Sequence, residues 1–338
     1  MTTARAPGRV NLIGDHTDYS GGLVCPLAID LGTTVTIDPG GGHVALRSDA
    51  DPEPAVVPLD VADPAGVVPA WARYVAGVVA VLRPAAGGRG TVSSTLPVGA
   101  GLSSSAALEV AVALALGADP GDPVGVARSC QEAERLASGV PCGIMDQLVS
   151  LAGVEGHALL IDCSTLAWRP VPLPAEVDVV VAHSGEARAL GTSAYARRRG
   201  EVEAAEGALG HPLASARPGD EAAIPDPLLR RRARHVVTEN ARVSAVAAAL
   251  EAGDVAGAGA LMGESHASLR DDFEVSTPRL DALVARLATA PGVWGARLTG
   301  AGFGGCAVAL AEPGAVDGLG LERVWVVRAS AGAHVRSP

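Results

Sequence analysis

Residues 96–110 read LPVGAGLSSSAALEV, and the interpretation of the whole chain turns on them. Gly99 and Gly101 permit positive φ and a close backbone approach, and Ser103, Ser104 and Ser105 offer three hydroxyls in a row. Residues 104–117 then run without an internal Gly or Pro to a terminal glycine, the pattern of a helix. A helix start leaves N–H groups unpaired with the helix dipole behind them, which makes an anion site. The glycines do not follow the dinucleotide spacing G-x-G-x-x-G, and no lysine completes a P-loop. The same residues also read as a serine-capped helix after a flexible turn. Taken alone, the stretch supports both readings.

Three other stretches concentrate unusual residues. RLTGAGFGGCAVAL (297–310) sets Gly300, Gly302, Gly304 and Gly305 between two strand-like runs. It reads as a tight hairpin, or as a second glycine loop closing over phosphates or packing on the first. APGRVNLIGDHTDYSGG (6–22) gathers Arg9, Asn11, Asp15, His16, Asp18 and Tyr19. Carboxylates and imidazole together accept from and donate to several hydroxyls, so this cluster looks like a polyol clamp. PCGIMDQLVS (141–150) places Asp146 among apolar neighbours, as a general base or as a helix cap.

Composition removes whole classes of function. The chain has 338 residues and a formal net charge of −11, with 26 basic residues that are all Arg. Such a balance argues against a sequence-independent grip on nucleic acid or anionic membrane. The missing lysine excludes Walker-type P-loop chemistry, the protein-kinase strand lysine and Schiff-base catalysis. Five scattered cysteines (25, 130, 142, 163 and 306) show no metal or redox spacing, which fits free thiols in a reducing compartment. No uncharged apolar run approaches the roughly 18 residues that span a bilayer, and a cytoplasmic location is expected. With 2 Phe, 3 Tyr and 4 Trp, aliphatic side chains must fill the core.

Alternation and β-branched clusters predict strands near 33–37, 44–48, 157–163, 177–183, 307–311 and 324–329. Helical periodicity covers 237–251, and Ser276-Thr277-Pro278 opens another helix. The proline-rich run 168–174 is the expected domain junction, and 210–227 an exposed loop excursion. The Arg197–Arg199 and Arg230–Arg232 runs read as solvated helix faces balancing local acids. Mixed strands and helices give an α/β or α+β class.

Taken together, these segments resemble the GHMP small-molecule kinases, and within them the galactokinase family. GRVNLIGDHTDY (8–19) is similar to the galactokinase signature, LPVGAGLSSSAAL to the ATP-binding motif, and LTGAGFGGC to the C-terminal glycine motif. WARYVAGV (71–78), CGIMDQ (142–147), RARHVVTENARV (232–243) and SLRDDFEVSTPRLD (268–281) add to the match, in order along nearly the whole chain.

That resemblance implies an α+β, two-domain GHMP kinase fold. An N-terminal mixed-sheet ATP-binding domain is expected over 1–170 and a C-terminal α/β-sandwich domain over 171–338, with the active site between them. It implies Asp146 as catalytic base with Arg9 beside it. Asp15, His16, Thr17, Asp18, Gly143 and Tyr195 fall on sugar contacts. Gly99, Ala100, Gly101, Leu102, Ser103, Ser104 and Ser105 fall on the phosphate loop. Ser105 and Glu134 fall on ligands for Mg²⁺, Trp71 and Tyr74 near the adenine, and Ser48 against the nucleotide. ATP and Mg²⁺ are the implied cofactors. A small-molecule sugar is the implied substrate, with no nucleic-acid or membrane partner, acting as a monomer. Two positions depart from the family pattern. Asp15 stands where Glu is usual, and Ala194 where Glu commonly precedes the tyrosine. The departures leave room for another sugar or a cyclitol as substrate. A catalytically silent sugar and ATP sensor is a third reading, to which the intact Ser103–Ser105 run and Asp146 are opposed.

Overall fold

The first strand, β1 (Thr2–Asn11), carries Arg9 and Asn11 into the centre of the molecule, and the other elements are arranged around it. The structure is a computed structural model that describes the chain except residues 98, 187–190 and 337–338, and except the side chains of 191–193. Val98, inside the glycine-rich stretch, therefore lies outside the described residues.

After β1 come β2 (Leu23–Val24), β3 (Pro26–Pro39), β4 (His43–Ser48), β5 (Ala55–Pro58), helix α1 (Ala72–Leu82) and β6 (Gly88–Ser94). Helices α2 (Ser104–Ala115), α3 (Pro123–Ser138) and α4 (Met145–Ala152) follow, then β7 (His157–Asp162), β8 (Ala167–Pro172) and β9 (Asp178–His183). The remainder is α5 (Gly191–Leu209), α6 (Pro227–Glu251), α7 (Val255–Asp271), α8 (Pro278–Ala288), β10 (Val293–Thr299), β11 (Cys306–Ala311), β12 (Val324–Val327) and β13 (His334–Arg336).

Among the described residues three sheets form: β13-β1-β3-β6-β4-β5, β10-β11-β9-β12 and β2-β7-β8. The first is mixed, because β4 and β6 pair in parallel while its other pairs are antiparallel. Helices α1, α2 and α3 bury Val75, Val79, Val110, Val112, Leu114 and Cys130 against Val35, Ile37, Val44 and Leu46 of this sheet. A second apolar cluster joins the two halves, with Val10, Leu12, Leu27 and Ile29 meeting Val179, Val181, Val243, Val246, Met262 and Val308. Beyond β12 the backbone returns to the first sheet. Ser330 N–H donates to Ala28 O, Gly332 N–H to Gly153 O and Ala333 N–H to Ser150 O, and β13 pairs with β1 through Thr3–Arg336.

Local chemistry explains the boundaries. Asp226 caps α6 by accepting from Leu228 and Leu229 N–H, with Pro227 in the first turn. Thr277 Oγ1 accepts from Leu280 N–H at 3.2 Å and Pro278 opens α8, as its sequence predicts. Residues 168–172 of the proline-rich run form part of β8, with Pro170 and Pro172 exposed on an edge strand. Two expectations need correction. The 210–227 excursion is tied down, because Leu213 and Ile224 are fully buried against α5 and α6. The two arginine runs are not simply solvated. Arg232 is 1% exposed and bridges Glu201 (2.7 Å) and Glu274 (2.6 Å), and Arg198 is buried beside it. Buried guanidinium groups of this kind persist only when carboxylates and carbonyls satisfy them.

Candidate active site

Arg9 is the hub. Its Nε and Nη2 donate to the two carboxylate oxygens of Asp146 at 2.7 and 2.8 Å, and Nη1 donates to Gly101 O at 2.8 Å. This fork-to-carboxylate geometry fixes both side chains, as planar bidentate pairs do. Asp146 sits in the first turn of α4, where a carboxylate also faces the positive helix end. Ser103 Oγ adds a third donor to Asp146 at 2.5 Å.

The glycine-rich loop lies on β1. Arg9 N–H donates to Leu102 O at 3.2 Å, and a Cβ on Gly8 would stand 2.5 Å from that oxygen. Gly99, Gly101 and Ser103 all have left-handed backbones, with φ of 74°, 73° and 58°. Such a conformation at the non-glycine Ser103 costs on the order of 1 kcal/mol and is held by its surroundings. Ser103 does not cap α2, since its hydroxyl is turned to Asp146. The first N–H groups of α2 thus face the cleft without a side-chain partner, the arrangement that receives anions.

Two cavities meet at the Arg9–Asp146 pair. One, of about 410 Å³, is lined by Asp15, His16, Asp18, Cys142, Gly143, Met145, Tyr195, Gly300 and Ala301 together with Arg9, Glu134 and Asp146. The other, of about 590 Å³, is lined by Gly99, Gly101, Ser103, Ser104, Ser105, His183, Gly185 and Arg323 with the same Arg9, Glu134 and Asp146. The first cavity mixes apolar wall and convergent polar groups, the second is rimmed by backbone and hydroxyls.

In the first cavity, His16 packs among Tyr19, Tyr195 and Phe273, with ring centroids 4.7–5.9 Å away. Its Nε2 meets Ala301 O at 3.2 Å and its Nδ1 meets Tyr19 Oη at 3.1 Å. Burial, reinforced by His235, pushes the His16 imidazole down to about 3, so it is neutral. Enclosure by the cleft, with Asp146 and Asp15 nearby, pushes the Asp18 carboxyl up to about 7. A Cβ on Gly143 would lie 1.6 Å from Asp18 Oδ2, so only glycine leaves that carboxylate in place. Asp15 is clamped at the floor: Arg297 Nη2 donates to it at 2.6 Å and Gly300 N–H at 3.0 Å. The glycine hairpin of β10 and β11 therefore closes the floor beneath Asp15 and touches the first loop through Cys306 Sγ to Ala100 O, 2.9 Å.

Several sequence-derived residues sit elsewhere. Thr17 does not line the cavity, because its buried hydroxyl spans Gly14 O (2.8 Å) and Leu23 O (2.7 Å) to close its own turn. Trp71 bonds Glu53 O through Nε1 and packs with Tyr74 on the α1 core, while Ser48 Oγ accepts from Ala50 N–H. Neither Trp71 nor Ser48 lines the two cavities. Supporting residues appear that the pattern did not single out. His235 bonds Asp15 O (3.1 Å), Glu239 accepts from Gly14 N–H (3.1 Å), and buried Arg297 donates to Leu12 O (2.9 Å) as well as to Asp15. All three are buried and polar, and His235 and Glu239 lie in the RARHVVTENARV stretch.

Ser105 Oγ donates to Glu134 Oε1 at 2.9 Å, and Gln147 Nε2 donates to Glu134 Oε2 at 2.6 Å. Burial and the neighbouring Asp146 raise the Glu134 carboxyl. A divalent cation would relieve that strain, and hydroxyl plus carboxylate oxygens suit Mg²⁺. Among the described residues no set of three His, Cys, Asp or Glu side chains could enclose a metal. A cation at Ser105 and Glu134 must take its remaining ligands from water and phosphate, which Mg²⁺ commonly does.

Residues 2–39 match the galactokinase galactose-binding signature, 73–154 the GHMP kinase N-terminal domain and 246–320 the GHMP kinase C-terminal domain. A galactokinase of Roseiflexus sp. (strain RS-1) is 47% identical, over 93% of this chain and 84% of that protein. The chain belongs to the galactokinase family. Galactokinase of Homo sapiens is 45% identical over 92% of this chain and 83% of its own length. The galactokinase of Lactococcus lactis, solved with galactose, superposes with a TM-score of 0.89 at 32% identity over 98% of this chain and 94% of that one. A mevalonate kinase at 20% identity shares the fold with a TM-score of 0.67. This galactokinase-family chain has the two-domain GHMP kinase fold and is a kinase, a phosphotransferase that uses ATP.

Proposed function

We propose that the protein transfers the γ-phosphoryl group of ATP to the anomeric C1 hydroxyl of galactose, releasing galactose 1-phosphate and ADP. One observation carries this reading: Asp146, held by Arg9 and Ser103, stands on the wall shared by a polyol-sized cavity and a cleft rimmed by the glycine-rich loop and the uncapped start of α2.

In this mechanism the sugar sits against Asp18, His16, Tyr195 and Gly143, with its C1 hydroxyl at Asp146. Neutral His16, its two ring nitrogens engaged by Ala301 O and Tyr19 Oη, forms part of the cavity wall without adding charge. Asp146 takes the proton as the C1 oxygen forms its bond to phosphorus and the bond to the β-phosphate oxygen breaks. General-base assistance of this kind is worth about 10²–10⁴-fold. Arg9 orients the carboxylate and balances its charge, and the first N–H groups of α2, after the glycine-rich loop, stabilise the phosphate oxygens without any lysine. Ser105 and Glu134 would hold Mg²⁺, which when bound neutralises phosphate charge.

Asp15 favours one further reading, a kinase for another sugar or a cyclitol. Both of its carboxylate oxygens are already engaged, by Arg297 and Gly300, which alters what it can offer a substrate hydroxyl. An ADP-release assay with ATP and Mg²⁺ across galactose, N-acetylgalactosamine, glucose, arabinose, glucuronate and cyclitols separates the two. Selective turnover on galactose is expected. Turnover only elsewhere in the panel overturns the substrate, and silence throughout, with sugar binding retained, overturns catalysis.

A further inference from the structure

The phosphate cleft contains two carboxylates, Asp146 and Glu134, and must receive a polyanion. Arg9 cannot supply the balancing charge freely, because its Nε, Nη1 and Nη2 are all committed to Asp146 and Gly101. The chain has no lysine to do so. A second cation nevertheless lines the cleft.

Arg323 stands immediately before β12, which pairs with β9 in the four-stranded sheet. Its carbonyl accepts from His183 N–H at 2.9 Å, so its backbone is fixed to the end of β9. Its side chain is exposed, and among the described residues it pairs with no carboxylate. Its guanidinium instead lies 5.8 Å from the Trp325 ring centroid, and Nη1 reaches His183 Nδ1 at 3.4 Å. That nitrogen also accepts from Gly185 N–H at 3.0 Å, which makes it the unprotonated one. Ring and imidazole thus steady the guanidinium without neutralising it. The cation lines the same cleft as Ser103–Ser105, in a chain whose net charge is −11.

We propose that Arg323 is an electrostatic clamp for the polyphosphate chain of the nucleotide, delivered from the C-terminal half to the cleft that the glycine-rich loop lines. The clamp rests on the reading of this cleft as the nucleotide site. It acts on the bound ground state, so its loss weakens nucleotide binding and leaves the sugar cavity untouched.

Arg323→Gln and Arg323→Lys are compared with wild type by calorimetric titration of sodium tripolyphosphate, ADP and uncharged adenosine, with Mg²⁺ and without sugar. The glutamine variant is expected to weaken tripolyphosphate and ADP about five- to tenfold, the scale of one partly exposed charged contact. The lysine variant recovers most of that loss, adenosine is unaffected, and the salt dependence of tripolyphosphate binding becomes shallower in the glutamine variant. In turnover, the KM for ATP rises with the KM for sugar unchanged. Tripolyphosphate affinity within twofold of wild type in Arg323→Gln, or an equal loss for adenosine, overturns the clamp. The titrations judge Arg323 without catalysis, whereas absent turnover on galactose by wild type counts against the proposed reaction alone.

Discussion

Replacing Asp146 by Asn tests the chemistry at its centre. The native carboxylate accepts two hydrogen bonds from Arg9 and one from Ser103. An asparagine presents one oxygen and one NH₂ group. Ser103 can reverse its hydroxyl to accept, but either amide orientation turns the NH₂ toward one Arg9 donor. The stability cost is that of one charge-assisted bond, about 1–3 kcal/mol. It falls toward the lower end because the Asp146 side chain is 29% exposed. The rate cost is separate and larger. Losing the base removes about 10²–10⁴ in kcat, or about 3–5 kcal/mol of barrier. Thermal melting, calorimetric sugar binding and steady-state ADP release together separate the two effects. The expected result is a folded variant with near-native sugar affinity and a kcat lower by at least about a hundredfold. A kcat within tenfold of wild type, with normal sugar binding, would falsify the role assigned to Asp146.

Three other outcomes follow from the same geometry. Gly143→Ala places a methyl group against Asp18, and an ångström of displacement there should cost about 10²-fold in kcat/KM with melting little changed; unchanged kinetics would show that Asp18 does not position the sugar. Arg297→Met leaves Asp15 and Glu239 buried without their shared cation, at a cost of about 3–5 kcal/mol. Differential scanning calorimetry should show a melting temperature lower by more than about 5 °C, and a smaller shift would mean that water replaces the guanidinium. For Asp18, the folded carboxyl at about 7 lies above its ordinary 3.8, so folding favours the protonated form. That contribution is full below the ordinary value and lost as pH rises through 7. Melting of wild type relative to Asp18→Asn should therefore fall between pH 5 and pH 8, and a constant difference across that range would refute the burial argument.

The residues proposed to meet substrate were legible because chemistry restricts them. Arg9, Asp18, Gly143, Ser103–Ser105 and Asp146 lie in short motifs whose spacing survives any fold, and the structure gathers them at one junction. Strands were less visible. β1 contains Pro7 and Gly8, β6 contains Gly88 and Gly90, and β10 contains Gly295, so propensity argues against each. Tertiary approach, not propensity, selects those glycines. The supporting layer was least visible. Arg232 and Arg297 look like surface residues in a sequence, and only long-range partners such as Glu201 and Asp15 bring them inside. Thr17 shows the converse, since membership of a motif does not say whether a hydroxyl faces the cavity or its own turn.

The return of residues 330–336 to the first sheet has a consequence for how the molecule is made. Ser330 Oγ bonds Ile29 O across 301 positions of sequence, and β13 covers the free side of β1. During synthesis, β1 leaves the ribosome more than 300 residues ahead of β13, and its outer row of N–H and C=O groups stays open until β13 follows. An open edge of that kind invites pairing with other strands. The C-terminal end of α4, the helix whose first turn carries Asp146, is fastened by the same late segment through Ser150 and Gly153. A nascent chain can therefore pack the helices α1, α2 and α3 on the first sheet while the end of α4 is still unfastened, and a stalled ribosome would hold an edge-exposed product.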